Sequence, residues 1–246
     1  MSLTFSIVVP VFNEADFIPR ALPALIDVMQ TVGEPYQVLI VENGSTDGTA
    51  AAAREASEGF PVSVISLDEA DYGAAMRHGF LVAEGDWVVN FDIDYFSAGF
   101  LLQVLEIGDV DLVIGSKRDP GSEDRRPMIR RIATFVFNLL LSTILDSKVT
   151  DTHGMKAFRL SLVAEIAPLV VSRKDLFDTE LVVRAERAGY RIKEVPVVVE
   201  EMREARSSLV KRVPRTLRGL WEIRRTLKEE SKGVAPAPQT PSGEAD

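Results

Sequence analysis

Two aspartates separated by one residue, Asp92 and Asp94, end the apolar run Val89 to Phe96 (VNFDIDYF). In extended backbone, residues two apart point to the same side. Two carboxylates placed there repel each other unless a cation sits between them. A magnesium or manganese ion supplies that charge and also binds a pyrophosphate. The plainer reading is that Asp94 caps the next helix and Asp92 is merely exposed. A bare D-x-D recurs by chance, so the weight of the metal reading comes from its position after a buried strand.

The elements that must position this pair are legible as apolar runs. Phe5 to Phe12 reads as a strand buried on both faces. A helix follows from about Asp16 to Val32, then a strand from Tyr36 to Val41. Asp47 fits the N-cap of an alanine-rich helix ending before Gly59. Val62 to Leu67, Asp86 to Phe91 and Val110 to Ile114 are further strands, with a helix from Tyr72 to Ala83. This alternation predicts an α/β fold, a mostly parallel central sheet with helices on both faces. Such sheets bind ligands beyond the carboxyl ends of their strands. The residues there are Asn13 and Glu14, Glu42 and Asn43, Asp92 and Asp94, and Lys117 and Arg118.

Farther along, Met128 to Leu145 reads as an apolar helix with a narrow polar stripe at Thr134, Asn138 and Ser142. Asp175 to Ala188 reads as a helix and Tyr190 to Val199 as a strand. Pro214 fits the first turn of a last helix. One domain is expected over residues 1–230, with a disordered Pro-, Ala- and Gly-rich tail over 231–246.

Composition narrows the chemistry. The 246 residues include no cysteine, which excludes disulfides, zinc–thiolate sites and thiol catalysis. With two histidines, His78 and His153, a metal must be held mainly by oxygen. A net charge of −9 argues against nucleic-acid binding. The segment from Arg203 to Lys228 nevertheless carries nine basic and two acidic residues. Met1 leads directly into a strand-like run, with no leader visible, and no apolar run is long enough to span a bilayer. A cytoplasmic protein is expected, either soluble or peripheral to the inner face of the cell membrane.

Eight segments in one order resemble the inverting family 2 glycosyltransferases of the GT-A fold. They are VVPVFNE (Val8 to Glu14), VENGSTDGT (Val41 to Thr49), GAAMRHG (Gly73 to Gly79), FDID (Phe91 to Asp94), GSKR (Gly115 to Arg118), DTHGMKAF (Asp151 to Phe158), FDTELVVRAERAGYRIKEVPV (Phe177 to Val197) and the region of Arg203. The later ones are similar to the polyprenyl-phosphate and dolichol-phosphate sugar transferase branch. The resemblance implies that Pro10, Phe12 and Glu14 line a nucleotide pocket, and that Val41 and Asn43 contact base and ribose. It places Arg77 near the nucleotide. Asp92, Ile93 and Asp94 would hold the nucleotide-sugar, with Asp94 the firmest ligand of Mg2+ or Mn2+. Arg118 and Arg203 would bind phosphates through their guanidinium forks. Asp151 is the candidate base or acceptor-positioning carboxylate; its alternative is shaping the loop before His153. Glu180 matches a family position with a sugar or a structural role.

The chain departs from that pattern at Asn43, where an aspartate is usual, and at Phe96, where the branch often has glutamine. In REARSSL (Arg203 to Leu209) the usual glycine is Arg206 and the usual lysine is Leu209. The implied reaction moves mannose or glucose from a GDP- or UDP-sugar to a polyprenyl phosphate. The rivals are transfer to a soluble or protein-linked acceptor, and a nucleotide-sugar-binding scaffold without turnover. The apolar helix, with Arg130 and Arg131 near its start, and the basic amphipathic last helix either rest on an anionic membrane surface or pack on the core with their arginines in water. The oligomeric state is open, with a homo-oligomer among the options.

Overall fold

The computed structural model describes residues 2–124, 128–152, 154–173, 176–199 and 209–232. The strands are β1 (Phe5–Val11), β2 (Tyr36–Asn43), β3 (Val62–Leu67), β4 (Trp87–Asn90), β5 (Leu112–Ser116), β6 (Glu123–Asp124), β7 (Lys156–Arg159), β8 (Ile192–Pro196) and β9 (Val198–Val199). The helices are α1 (Ile18–Val32), α2 (Thr49–Ala56), α3 (Tyr72–Leu81), α4 (Ala98–Glu106), α5 (Met128–Leu145), α6 (Leu160–Ile166), α7 (Phe177–Arg187) and α8 (Leu209–Glu230).

Seven strands form the central sheet in the order β3-β2-β1-β4-β7-β5-β8. All pairings in it are parallel except those of β7, which runs antiparallel to both β4 and β5. Strand alternation sorts the core onto two faces. Phe5, Ile7, Val9 and Val11 of β1 pack with α1, α2 and α4, while Val8 faces α3, α6 and α7. Gly79 lets α3 lie close on that second face: a Cβ there would overlap Val8 and stand 3.0 Å from Val41. A third apolar cluster joins α5 and α8 to Leu176 and Val183.

The expected α/β architecture is present, and the helix Met128–Leu145 has the expected bounds. Three expectations need correction. Asp47 is not the N-cap of α2; Gly48 holds that position with φ 87°. Asp47 stands one residue earlier, where it accepts from Thr49 N at 3.1 Å and from Ala15 N at 3.2 Å, bridging two loops. Pro214 does not open the last helix, which begins at Leu209. The segment Tyr190 to Val199 is not one strand; β9 leaves the main sheet and pairs with β6. Strand β7 and helix α6 were not foreseen, and α4 was named only as the helix that would follow Asp94. The expected tail lies outside the described residues beyond Lys232.

Candidate active site

The winding of the sheet reverses at β1, since β2 and β3 lie on one side of it and β4 on the other. The crevice at the carboxyl ends of β1 and β4 is therefore the expected ligand site. The aspartate pair stands there. Phe91 and Ile93 turn into the core, 1% and 3% exposed, and Asp94 lies close enough to Asp92 for its charge to act on it. A turn follows at once, with Tyr95 N donating to Asp92 O at 3.0 Å. Ser97, not Asp94, caps α4, accepting from Phe100 N at 3.3 Å.

Asp92 is exposed to solvent at its surface, although many protein atoms lie around its carboxylate. Loss of hydration, followed by the charge of Asp94, raises its pKa to about 6. Lys156 and Lys117 act in the opposite sense, and Asp178 adds to the rise. The carboxylate pair is thus coupled electrostatically and only partly balanced by the protein's own cations.

Beneath the pair lies a buried polar network. Lys156 on β7 is 1% exposed, its Nζ 2.7 Å from Gly154 O and 3.6 Å from Asp178 Oδ2. Tyr72 at the start of α3 donates its hydroxyl to Asp178 Oδ2 at 2.8 Å. Burial, then the charges of Asp178 and Asp92, hold the Tyr72 phenol well above its ordinary pKa, so it stays a donor. Asn90 Nδ2 reaches Asp178 Oδ1 at 3.3 Å, while Asn90 Oδ1 is buried without a hydrogen-bond partner among the described residues. Tyr72, Asn90 and Lys156 were not among the candidates read from the sequence. The one available signal was a lysine inside the strand-like run Met155 to Phe158.

Asp151 is 1% exposed and belongs to the same charge system. Its Oδ2 accepts from Lys117 N at 3.2 Å and stands 3.8 Å from Lys117 Nζ. Two glycines allow this approach. Gly115 N donates to Met155 O at 2.8 Å, and a Cβ on Gly154 would overlap the Gly115 carbonyl oxygen. Glu180, fully buried, holds the neighbouring loop: it accepts from Val171 N, from Ser172 N at 2.7 Å and from Arg184 Nε at 2.7 Å.

The other rim is two loops knitted together. Asn13 takes φ 53°; its N–H donates to Ser45 Oγ at 2.9 Å, and its Oδ1 accepts from Thr46 N at 3.0 Å. Glu14 N donates to Thr49 Oγ1 at 2.8 Å. Pro10 is half-buried in β1, and Phe12 stands 44% exposed on this rim. Glu14 and Asn43 are buried, and Asn43 Oδ1 accepts from Asp71 N at 2.7 Å. Val41 and Ile93 have their side chains in the core, so any part they play falls to their backbone. Arg77 is engaged by the carbonyl of Val170. Arg118 is exposed, its guanidinium 5.2 Å from the Phe135 ring centroid on α5. Arg203 and His153 lie outside the described residues.

The donor set suits a hard divalent ion. Two carboxylates, with the remaining positions left to phosphate and water oxygens, match what magnesium or manganese accepts. Among the described residues no group of three His, Cys, Asp or Glu side chains forms a complete protein cage.

Residues 6–167 match the sequence family described as glycosyl transferase family 2. The glycosyltransferase AglD of Haloferax volcanii is 29% identical over 231 residues, covering 89% of this chain but only 37% of that protein. A glycosyltransferase of Mycobacterium tuberculosis is 32% identical over 196 residues, covering 78% of this chain and 83% of that one. Among solved structures, glucosyl-3-phosphoglycerate synthase from Mycobacterium tuberculosis, in complex with Mn2+, UDP-glucose and phosphoglyceric acid, superposes with a TM-score of 0.65 at 19% identity, covering 89% of this chain and 80% of that one. Mannosyl-3-phosphoglycerate synthase from Rubrobacter xylanophilus gives 0.63 at 24% identity, covering 98% and 78%. At these identities the structural likeness is one of fold.

Proposed function

Since this chain belongs to glycosyl transferase family 2, we propose that it moves a hexose, with inversion, from a nucleoside-diphosphate sugar to a phosphate-bearing acceptor. The carrying observation is the coupled pair Asp92 and Asp94 at the β1–β4 crevice, with two lysines close behind it.

Inversion requires a stabilised leaving diphosphate and an acceptor oxygen in line behind the anomeric carbon. Asp92 and Asp94 would hold a divalent ion, whose charge would offset that of the leaving group. Lys117 and Lys156 add fixed positive charge close to Asp92. The linked loops after β1 and β2 provide the wall for base and ribose, with Phe12 as an exposed aromatic surface. Arg118 is the proposed holder of the acceptor's phosphate. A phosphate acceptor is already ionised and needs little help from a base. Asp151 then acts by orienting Lys117, to which it is bound, rather than by taking a proton.

The first reading of the acceptor is a polyprenyl phosphate. Its support is the surface beside Arg118, where Met128, Ile129, Ile132, Phe135, Val136 and Leu139 of α5 are all about half or more exposed. On a helix these positions share one face, and an apolar face exposed among the described residues beside a phosphate-binding arginine suits a lipid carrying a phosphate. No helix among the described residues is long and apolar enough to cross a membrane, so such a lipid would be met at the bilayer surface. The second reading is a small phosphorylated acid, favoured by the fold shared with the two 3-phosphoglycerate enzymes.

Transfer assays with UDP- and GDP-hexoses and Mn2+ test both. Product on polyprenyl phosphate alone supports the first reading, and product on 3-phosphoglycerate alone supports the second. Neither transfer nor donor hydrolysis with any of these donors would contradict the proposed reaction.

A further inference from the structure

A second concave site lies away from the crevice, at the far end of α5. It is a pocket of about 440 Å³ bordered by Thr143, Asp146, Arg187, Arg224, Lys228 and Ser231. Leu145, beside it, follows Phe135 by ten residues, or roughly 15 Å along a helix.

We propose that this pocket binds a phosphate group. The first reason is charge. Among the described residues, none of Arg187, Arg224 and Lys228 lies within ion-pair distance of a carboxylate. Two nearby arginines on the same helices are matched: Arg184 with Glu180 and Glu230, and Arg225 with Glu229. Arg187, Arg224 and Lys228 converge on one concavity in a chain of net charge −9. Against them stand Asp146 and the carbonyl end of α5, which carries roughly half a negative charge. Among the residues bordering the pocket the three cations outnumber the single carboxylate.

The second reason is geometry. Arg187 Nη2 donates to Leu145 O at 3.1 Å and Arg224 Nη1 to Ile144 O at 2.8 Å. These bonds satisfy the end of α5 and fix both guanidinium groups at the pocket wall. Each uses one of five N–H donors, so the rest remain for an anion, in the planar array that suits phosphate oxygens. Lys228 adds an ammonium from the next turn of α8. The wall is shaped by Asp146, which leaves α5 at φ 55°, a conformation costly for a non-glycine residue. Glu186 holds the departing chain by accepting from Ser147 Oγ at 2.7 Å and Lys148 N at 2.8 Å.

The shared ligand chemistry is a phosphate oxygen face, presented either by a small phosphorylated molecule or by an acidic phospholipid headgroup. Arg224 lies 5.5 Å from the ring centroid of Trp221, which is 59% exposed. That indole can report on the pocket. The sequence holds two tryptophans, so Trp87→Phe leaves Trp221 as the sole indole.

In that background, pyrophosphate is titrated at constant ionic strength, and vesicles of phosphatidylcholine are compared with and without phosphatidylglycerol. A saturable change in Trp221 emission with pyrophosphate or with the acidic vesicles is expected, weakened at least tenfold by Lys228→Gln. The arm that responds identifies the source of the phosphate. Lys228→Gln spares both arginine bonds to α5, so the fold is kept. No saturable change in either arm, or an equal response in Lys228→Gln, would overturn the proposal. The site does not depend on the transfer reaction, and its failure would leave that reading untouched.

Discussion

Lys156 Nζ stands 3.6 Å from Asp178 Oδ2, both side chains buried, one on the antiparallel strand β7 and the other in the first turn of α7. The pair lies near the aspartate crevice, and Tyr72 and Asn90 tie it to the first half of the chain. Isolated, either charge would be costly in this setting; together, with Tyr72, Asn90 and Gly154 O, both are solvated by the protein.

Removing one partner should therefore cost more than removing both. Breaking a buried pair costs about 3–5 kcal/mol, because the survivor is left uncompensated. Lys156→Met should destabilise the fold by about 3 kcal/mol in urea unfolding. Adding Asp178→Asn should recover part of that loss. A single variant within about 1 kcal/mol of the parent would show that the pair is not isolated from water.

Asp92 gives the protein a pH signature. Its folded pKa of about 6 lies above the unfolded value of about 4, so the native state holds more protons between them. The contribution of Asp92 is thus most favourable below pH 4 or so, and it declines as pH rises to about 6. Metal affinity should rise over the same window, because the ion competes with the proton. Carboxyl NMR should find Asp92 titrating near 6, lower in Asp94→Asn and higher in Lys156→Met. An ordinary carboxylate titration in all three proteins would contradict the coupled pair.

Two glycines separate rigid from yielding close contacts. A Cβ at Gly154 meets the carbonyl oxygen of Gly115, whereas one at Gly219 meets the end of the Leu176 side chain. Overpacking costs about 1–3 kcal/mol, and more when backbone must move. Gly154→Ala should lower stability clearly more than Gly219→Ala, because Leu176 can change rotamer. Equal losses in thermal melts would count against the close approach of the loop before β7 to β5.

The Pro-, Ala- and Gly-rich end of the sequence carries no apolar periodicity and should add nothing to the core. Deleting residues 233–246 should leave the melting temperature within about 2 °C, no more than the shift of about 2–4 °C that 1 kcal/mol produces in a chain of this size. A fall of 10 °C or more would show that the segment packs on the domain.

What was legible in the sequence was the buried scaffold and the ends of its parallel strands. Runs such as Phe5 to Phe12 have one physical solution, and the polar residues that follow them must collect on one rim. The short antiparallel strand β7 was not legible. It has four residues, begins with Lys156, and is specified by pairing with β4 and β5 rather than by its own pattern. The network of Tyr72, Asn90 and Lys156 shares that cause, since its members come from α3, β4 and β7 and meet only in the fold. Sequence position also could not tell that Val41 and Ile93 face the core or that Arg77 reaches Val170. The start of α8 was misplaced because Pro214 is a local signal, while the helix continues past it to Leu209.

The carboxylate pair is tested most directly by calorimetry of UDP and GDP with Mn2+, on the parent and on Asp94→Ala. The account predicts manganese-dependent binding of one nucleotide by the parent. It predicts loss of at least a hundredfold in affinity, about 2.7 kcal/mol, in the variant, with an unchanged melting temperature. Unaltered affinity in Asp94→Ala would contradict it.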